Sequence, residues 1–197
     1  DLGNPTDDVN SIGYSLYLEE MFVLHQTDTA GIVELFTVDV ETGFSVEVGN
    51  LVNATDNTVL TNAQGLAFVK DDDVAYTWQG TQLFNLNTTT AVATLVGTSS
   101  PARDDIVDLA YDNVQGRIYS LKETAAGYNK VLIWDARSVA RLADIYVSDL
   151  GGSMIKGIAA SPTTGTIYGI SSAVPPVIYQ IYENGTSLDL GTTSFTG

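Results

Sequence analysis

The chain contains no cysteine and only one histidine, His25. The absence of thiols excludes disulfide bonds, zinc–thiolate sites and a cysteine nucleophile. A Ser-His-Asp triad would have to use His25, and no Gly-x-Ser-x-Gly sequence is present. A zinc site would need more nitrogen or sulfur ligands than one histidine supplies. We therefore expect that the protein is not an enzyme.

Basic residues are also scarce: eight lysines and arginines face 24 acidic residues, and the formal net charge is −16. Such a chain repels nucleic-acid phosphates and anionic lipid surfaces, and it attracts cations or a basic partner. No stretch approaches the ~20 apolar residues that a bilayer crossing requires. We therefore expect neither nucleic-acid binding nor membrane insertion. Threonine, asparagine, glycine and valine dominate instead, which is typical of secreted or cell-surface proteins.

Hydrophobic residues make up 44% of the 197 residues, which excludes a disordered acidic tail and allows a sizeable core. No segment has a convincing helical periodicity. Short apolar segments alternate instead with turn residues, which is typical of β-strands. We therefore expect one all-β domain over residues 1–197.

A unit of four strands is repeated along the chain. Its clearest copy places strands at residues 65–68, 74–78, 82–86 and 91–96, with a tight turn at Gln79-Gly80-Thr81. Glycine supplies the positive φ that such turns need. The copies cover residues 11–51, 64–98, 107–147 and 156–191, and residues 50–64 read as a long polar connection.

The spacing of equivalent residues identifies the architecture. Phe36 and Phe84 are 48 residues apart, and Leu109 and Ile158 are 49 apart. A period of about 40 to 50 residues with four strands per copy is the signature of a propeller blade. One small sheet cannot cover both of its faces, whereas stacked copies bury them. The prediction is an all-β fold, a β-propeller with four blades of four antiparallel strands; the alternative is a β-sandwich.

Two motifs carry a resemblance to a known family. Gly65-Leu66-Ala67-Phe68 and Asp108-Leu109-Ala110-Tyr111 open the second and third copies, and the first and second copies close with Val46-Glu47-Val48-Gly49 and Thr94-Leu95-Val96-Gly97. These motifs resemble the repeats of secreted bacterial β-propellers over about residues 11–191. The resemblance implies the fold and is nearly silent on activity. WD40, kelch and Asp-box signatures are absent.

Four copies are few for such proteins, so two arrangements stay open. The chain closes as a four-bladed ring, or it is part of a larger ring or polymer of several chains. Residues 1–10 and 191–197 lie outside the copies and either extend the sheet edge of a neighbouring subunit or are loose termini. Both the termini and the blade edges favour a homo-oligomer or polymer.

Acidic residues cluster in the loops that lead into the first strand of each copy. Carboxylates in such loops meet on one face of a propeller, and calcium prefers six to eight oxygen ligands. Calcium is therefore the expected ion, against the alternative of a solvated acidic rim. The predicted metal ligands are Asp7, Asp8, Asp104, Asp105 and Asp108, with Asp28 and Asp56 on the same face. Asp71-Asp72-Asp73 lies in an opposite turn.

The large aromatic residues at strand positions are expected to pack between blades rather than to form a sugar-binding platform. They are Trp78, Trp134, Tyr119, Tyr168 and Tyr179. Glycosylation sequons occur at Asn53, Asn87 and Asn184, although such triplets are common by chance in this composition.

The combined prediction is a non-enzymatic, secreted or cell-surface structural or adhesive module. It would associate with itself or with another protein and be stabilised by calcium. A monomeric propeller that binds a sugar or a metal is the first alternative, and a hydrolase on a propeller scaffold is the second.

Overall fold

All regular secondary structure in the described residues is β. The structure is a computed structural model that describes residues 8–27, 31–72, 74–99, 106–123, 129–148 and 150–193, and no helix occurs in these ranges. The chain forms two compact units, Asp1–Asp104 with Arg137–Val139, and Asp105–Ala136 with Ala140–Gly197. Each unit is described by itself.

The first unit contains two blades. Blade I is an antiparallel sheet of consecutive strands β1 (Asp8–Ser15), β2 (Glu20–Gln26), β3 (Val33–Val38) and β4 (Ser45–Asn50). After the short strand β5 (Val52–Asn53), blade II follows with β6 (Gln64–Phe68), β7 (Val74–Gln79), β8 (Gln82–Asn87) and β9 (Val92–Thr98). Its strands are also antiparallel and consecutive, and β5 adds to β9 in parallel.

The second unit repeats this arrangement. Blade III consists of β10 (Ile106–Asp112), β11 (Arg117–Glu123), β12 (Asn129–Asp135) and β13 (Arg141–Tyr146). Blade IV consists of β14 (Ile155–Ala160), β15 (Ile167–Ser171), β16 (Val177–Ile181) and β17 (Ser187–Thr192). Both are four-stranded antiparallel sheets in chain order. The predicted four copies of four strands are confirmed, whereas the expectation of a single domain stays a prediction.

The core of the first unit lies between blades I and II. Leu24 and Leu35 of blade I and Leu86 of blade II are fully buried in one cluster. Strands β1 and β6 lie side by side, and Gly13 of β1 approaches closely, since a Cβ atom there would lie 2.7 Å from Phe68 Cε2. Each blade thus buries a sheet face against its neighbour, which a single small sheet cannot do alone.

The core of the second unit is equivalent. Leu121, Val131 and Ile133 of blade III pack in one cluster with Ile155 and Ile181 of blade IV. Strand β10 lies beside β14, as β1 lies beside β6. The two blades of each unit therefore pack in the same way, although the sequences of the two units differ.

The segment that precedes blade II differs from its prediction. Residues 50–64 were expected to form a polar connection, but Leu51, Leu60 and Ala63 are buried at 0–2% exposure in the core of the first unit. The main chain also pairs, because Val52 N–H donates to the Ala91 carbonyl at 3.1 Å. Although most residues of this segment are polar, three of its apolar residues are buried in the core, and residues 52–53 add a strand to blade II.

Candidate functional site

Asp108 is the predicted metal ligand whose side chain the structure describes. It lies in β10, and its Oδ2 accepts a hydrogen bond from the Ile158 backbone N–H of β14 at 2.8 Å. Its Oδ1 accepts one from the Leu109 N–H, also at 2.8 Å. Because both oxygens accept backbone donors, the carboxylate links the first strands of blades III and IV. The sequence predicts Asp108 at the start of this strand, and the structure places it two residues after the start; its role as a metal ligand stays a prediction.

The side chains of the other predicted ligands lie outside what the structure describes. Asp7, Asp104 and Asp105, together with Asp28, lie outside the described residues, and for Asp8 only the strand position is described. Among the residues that the structure describes, no group of three histidine, aspartate or glutamate side chains could hold a metal ion. The calcium site therefore stays a prediction.

The remaining acidic residues that the sequence singled out lie in turns. Asp56 Oδ1 accepts hydrogen bonds from the Thr58 N–H at 3.0 Å and from its hydroxyl at 2.7 Å. These bonds hold the pKa of Asp56 below its usual value, the hydroxyl having the larger effect. Asp71 and Asp72 lie in the exposed turn between β6 and β7, as expected, and Asp73 lies outside the described residues. Asp56 therefore stabilises its own loop.

A small depression lies next to Asp108 on the second unit. It has a volume of about 260 Å³, and Ile158, Ile170, Ile178 and Tyr168 contribute its walls. Asp108 contributes one carboxylate to a surface that is otherwise apolar. A sugar needs several convergent polar groups, so this depression suits an apolar group better than a sugar.

Four of the five aromatic residues are buried in the core, whereas Tyr168 is half-buried and lines the depression beside Asp108. Trp78, Trp134 and Tyr119 are each 1% exposed, and Tyr179 is 5% exposed. Trp134 Nε1–H donates to Ser120 Oγ at 2.8 Å. Buried indoles with a satisfied N–H are typical of packing. The prediction that these four are not a sugar platform agrees with their burial.

His25 is also a core residue. Only 4% of it is exposed, its Nδ1 lies 3.2 Å from Glu34 Oε2, and its ring meets the Phe36 ring edge-on at 5.7 Å. The ring is therefore packed between a carboxylate and an aromatic ring within blade I, as a core residue is.

A polar cluster joins blades III and IV at the start of β11. The Tyr119 hydroxyl donates to Glu183 Oε1 at 3.1 Å, and Arg117 Nη1 donates to the same oxygen at 2.9 Å. Burial, followed by the negative charges of Glu183 and Asp112, raises the pKa of Tyr119 to about 12. The phenol therefore stays protonated and acts as a hydrogen-bond donor between blades.

The sequons at Asn53, Asn87 and Asn184 have a structural use that the sequence did not indicate. In each, the side-chain oxygen accepts a hydrogen bond from the N–H two residues further on, at 3.0–3.1 Å. Such Asx turns explain the Asn-x-Thr pattern without glycosylation, because they favour asparagine at the first position.

An acidic groove that the sequence analysis did not predict opens at one end of blade I. It has a volume of about 680 Å³ and lies where the turn between β1 and β2 meets the turn between β3 and β4. Phe44, Val40 and Val46 line it although they are 67%, 60% and 54% exposed. Its acidic members are Glu19, Glu20, Asp39 and Glu41.

The last strands of three blades are sheet edges. In the described part of the chain, β4, β13 and β17 each pair on one side only, whereas β9 of blade II is covered by β5. Leu188 and Leu190 on β17 are 48% and 50% exposed, and Tyr146 on β13 is 62% exposed. Unpaired edges with apolar side chains are templates for another strand.

Comparison with known proteins supports the fold and not an activity. No protein family and no curated protein sequence matches the chain. Solved structures do match. A chain in the crystal structure of a nidogen/laminin complex has a TM-score of 0.64 at 8% identity, covering 94% of this chain and 65% of that one.

Two further matches are described as WD40 repeats or as a propeller. The WD40 repeats of RRP9 give a TM-score of 0.57 at 11% identity, covering 95% of this chain and 52% of that one. The Dos1 propeller gives 0.56 at 12% identity, covering 98% and 50%. This chain thus spans between about half and two thirds of the length of these structures.

The four-bladed propeller prediction is confirmed by the blades and by these matches. Identities of 8–12% show the fold alone. The comparisons support the propeller fold that the resemblance implies, but they do not test the resemblance to secreted bacterial repeats in particular. In the described residues there is also no helix with the length and apolarity that a bilayer crossing requires.

Proposed function

We propose that this protein is a non-enzymatic interaction module of the cell exterior that associates with copies of itself through the open edges of its blades. Propellers typically serve protein binding, and one match lies in a complex of two named proteins. The exterior location rests on composition alone, namely on the high content of threonine, asparagine, glycine and valine and the low content of lysine.

The observation that carries the proposal is the contrast between blade II and the other blades. The edge of blade II is completed by β5, which pairs in parallel with β9 and buries Leu51 beside it. The edges of β4, β13 and β17 carry no such strand in the described residues. A strand from another copy can complete them by the same main-chain pairing.

The test replaces two exposed leucines on β17, in the double variant Leu188→Lys and Leu190→Lys. Charged lysines on an edge strand oppose strand addition. Both residues are about half exposed, so the fold should persist. Sedimentation velocity over a range of concentrations and electron microscopy should show assemblies of the wild type and smaller species of the variant.

A matched control carries the same charge change away from the edges, as Leu16→Lys and Val114→Lys, which are 47% and 58% exposed. Both double variants add two positive charges to a chain of net charge −16, which weakens repulsion between copies. Dissociation caused by the β17 variant alone would therefore come from the edge. A wild type that is monomeric at every concentration contradicts the proposal.

The depression beside Asp108 is the observation that favours the alternative, a monomeric ligand-binding propeller. It has less support because Asp108, its one carboxylate, already accepts two backbone hydrogen bonds. A single monomeric species would make this alternative the leading one.

A further inference from the structure

The acidic groove of blade I combines strongly exposed apolar side chains with a surrounding rim of carboxylates. Phe44 is 67% exposed, which is unusual for a large apolar side chain, and Val40 and Val46 lie beside it. Exposed apolar patches with a polar rim mark interaction sites. Here the rim consists of carboxylates on both turns, with Glu19 and Glu20 on one and Asp39 and Glu41 on the other.

The charge around this groove has one sign. Lys70 is the first lysine or arginine of the sequence, so blade I contains no lysine or arginine at all. In the described part of the chain, no ion pair with a basic residue neutralises the four rim carboxylates. The rim thus presents a negative field around an apolar floor, and a partner must bring the compensating charge.

The rim is also held in place. Asp39 Oδ1 accepts hydrogen bonds from the backbone N–H groups of Glu41 at 2.9 Å and Thr42 at 2.8 Å. The Thr42 backbone N–H has the largest effect in holding the pKa of Asp39 below its usual value. The Asp39 N–H in turn donates to the Phe44 carbonyl at 2.9 Å. The turn that carries Val40 and Glu41 is therefore preorganised, which lowers the entropy cost of binding.

We propose that this groove binds an extended, cationic segment of a different protein, in which lysine or arginine side chains alternate with bulky apolar ones. The apolar side chains pack against Phe44, Val40 and Val46, and the basic ones reach the rim. A second copy of this chain fits less well, because this chain is itself strongly acidic. The site lies on the turns of blade I and is separate from the edge of β17.

The probe is a short fluorescent peptide that alternates lysine and leucine, and fluorescence anisotropy gives its Kd. Two control peptides separate the contributions: one replaces leucine with serine, and the other replaces lysine with glutamate. We expect binding of the first peptide alone, weakened by salt. Binding of the lysine–serine peptide with equal affinity would reduce the groove to non-specific charge attraction and overturn the proposal.

The protein variants locate the binding. The double variant Glu20→Gln and Glu41→Gln should raise the peptide Kd by about two- to fivefold per carboxylate, which is the contribution expected of an exposed ion pair. Phe44→Ser should weaken it by about tenfold, as expected for an apolar anchor. The matched controls are Glu47→Gln with Asp71→Asn, and Val114→Ser, which alter exposed residues outside the groove. Equal loss in the controls overturns the proposal.

The same variants keep this inference distinct from self-association. The groove variants should leave the assembly size in sedimentation unchanged, and the β17 lysine variant should leave the peptide Kd unchanged. If the wild type is monomeric yet binds the peptide at the groove, only the self-association proposal fails. If assemblies form and groove variants bind the peptide as the wild type does, only the groove proposal fails.

Discussion

Single glycines at the fifth position of three turns adopt a left-handed backbone, and one of them also lies against the neighbouring blade. Three five-residue turns, 39–43, 112–116 and 161–165, end in a glycine whose N–H donates to the carbonyl of the first residue at 2.8–2.9 Å. All three glycines have φ between +66 and +72. A left-handed φ alone favours glycine. At Gly165 there is a second reason, because the Asp112 carboxylate lies against it.

The first prediction separates these two reasons with Gly165→Ala and Gly43→Ala. A Cβ atom on Gly165 would lie 2.6 Å from Asp112 Oδ1, whereas one on Gly43 would meet nothing within 4 Å. Gly43→Ala should therefore lower the free energy of unfolding by about 1 kcal/mol, the cost of a left-handed alanine. Gly165→Ala should lower it by about 3 kcal/mol, because steric crowding is added. Urea unfolding of both variants measures the difference, and equal losses would refute the contact.

The second prediction concerns the pH dependence of stability at Tyr119. Its pKa rises from 10.0 to about 12 on folding, so the folded state favours the protonated phenol. This contribution to stability is complete below pH 10 and is lost as the pH rises through about 12. Tyr119→Phe should therefore lose less stability than the wild type over that window. Urea unfolding between these pH values tests it; parallel curves would show that Tyr119 does not titrate differently on folding.

At the scale of elements, most strands could be predicted because short apolar segments alternate with turn residues along the chain. The predicted strands at 65–68, 74–78 and 82–86 agree with β6, β7 and β8 to within one residue at each end. The tight turn at Gln79-Gly80-Thr81 is also confirmed, since Gln79 pairs with Gln82 across Gly80, whose φ is +55. These signals are local, since a glycine or an alternation of two residues can be seen without knowing what packs against it.

The segment of residues 50–64 could not be predicted in the same way. Its buried residues Leu51, Leu60 and Ala63 follow no strand period, and the mostly polar residues 53–58 separate the first of them from the other two. They are buried because the segment lies along the core of the first unit, where Leu60 N–H donates to the Leu51 carbonyl at 2.8 Å. Burial that depends on a tertiary neighbour leaves no periodic trace.

The third prediction tests whether this segment belongs to the core. Leu60→Ala should lower the free energy of unfolding by about 2 to 4 kcal/mol, since it empties a site that is 2% exposed. Leu16→Ala makes the same chemical change at a site that is 47% exposed, and should alter stability by less than about 0.5 kcal/mol. Thermal or urea unfolding compares the two. A similar small effect of both would mean that the segment is a peripheral loop.

At the scale of the whole molecule, acidic residues are so numerous that the sequence alone does not show which carboxylates form a site. The acidic residues were expected to meet around a cation, and Asp108 shows why one such residue can serve otherwise: its oxygens accept the Leu109 and Ile158 N–H groups. The groove escaped notice because Glu20 and Glu41 are 21 residues apart and meet only after β2 and β3 pair. Sites formed by side chains of different turns require the fold first.

The last prediction concerns calcium, and its control follows from the net charge. Any salt screens the repulsion within a chain of charge −16 and raises its stability, so calcium must be compared with sodium at equal ionic strength. If Asp104 and Asp105 bind calcium, a concentration about a hundredfold above the Kd should raise the Tm by about 5 to 10 °C beyond sodium. EDTA should reverse this increase. The variant Asp104→Asn with Asp105→Asn should lose it, whereas Glu47→Gln with Asp71→Asn should keep it. If calcium and sodium give the same Tm, the acidic residues act only through their summed charge, and the predicted ion site does not exist.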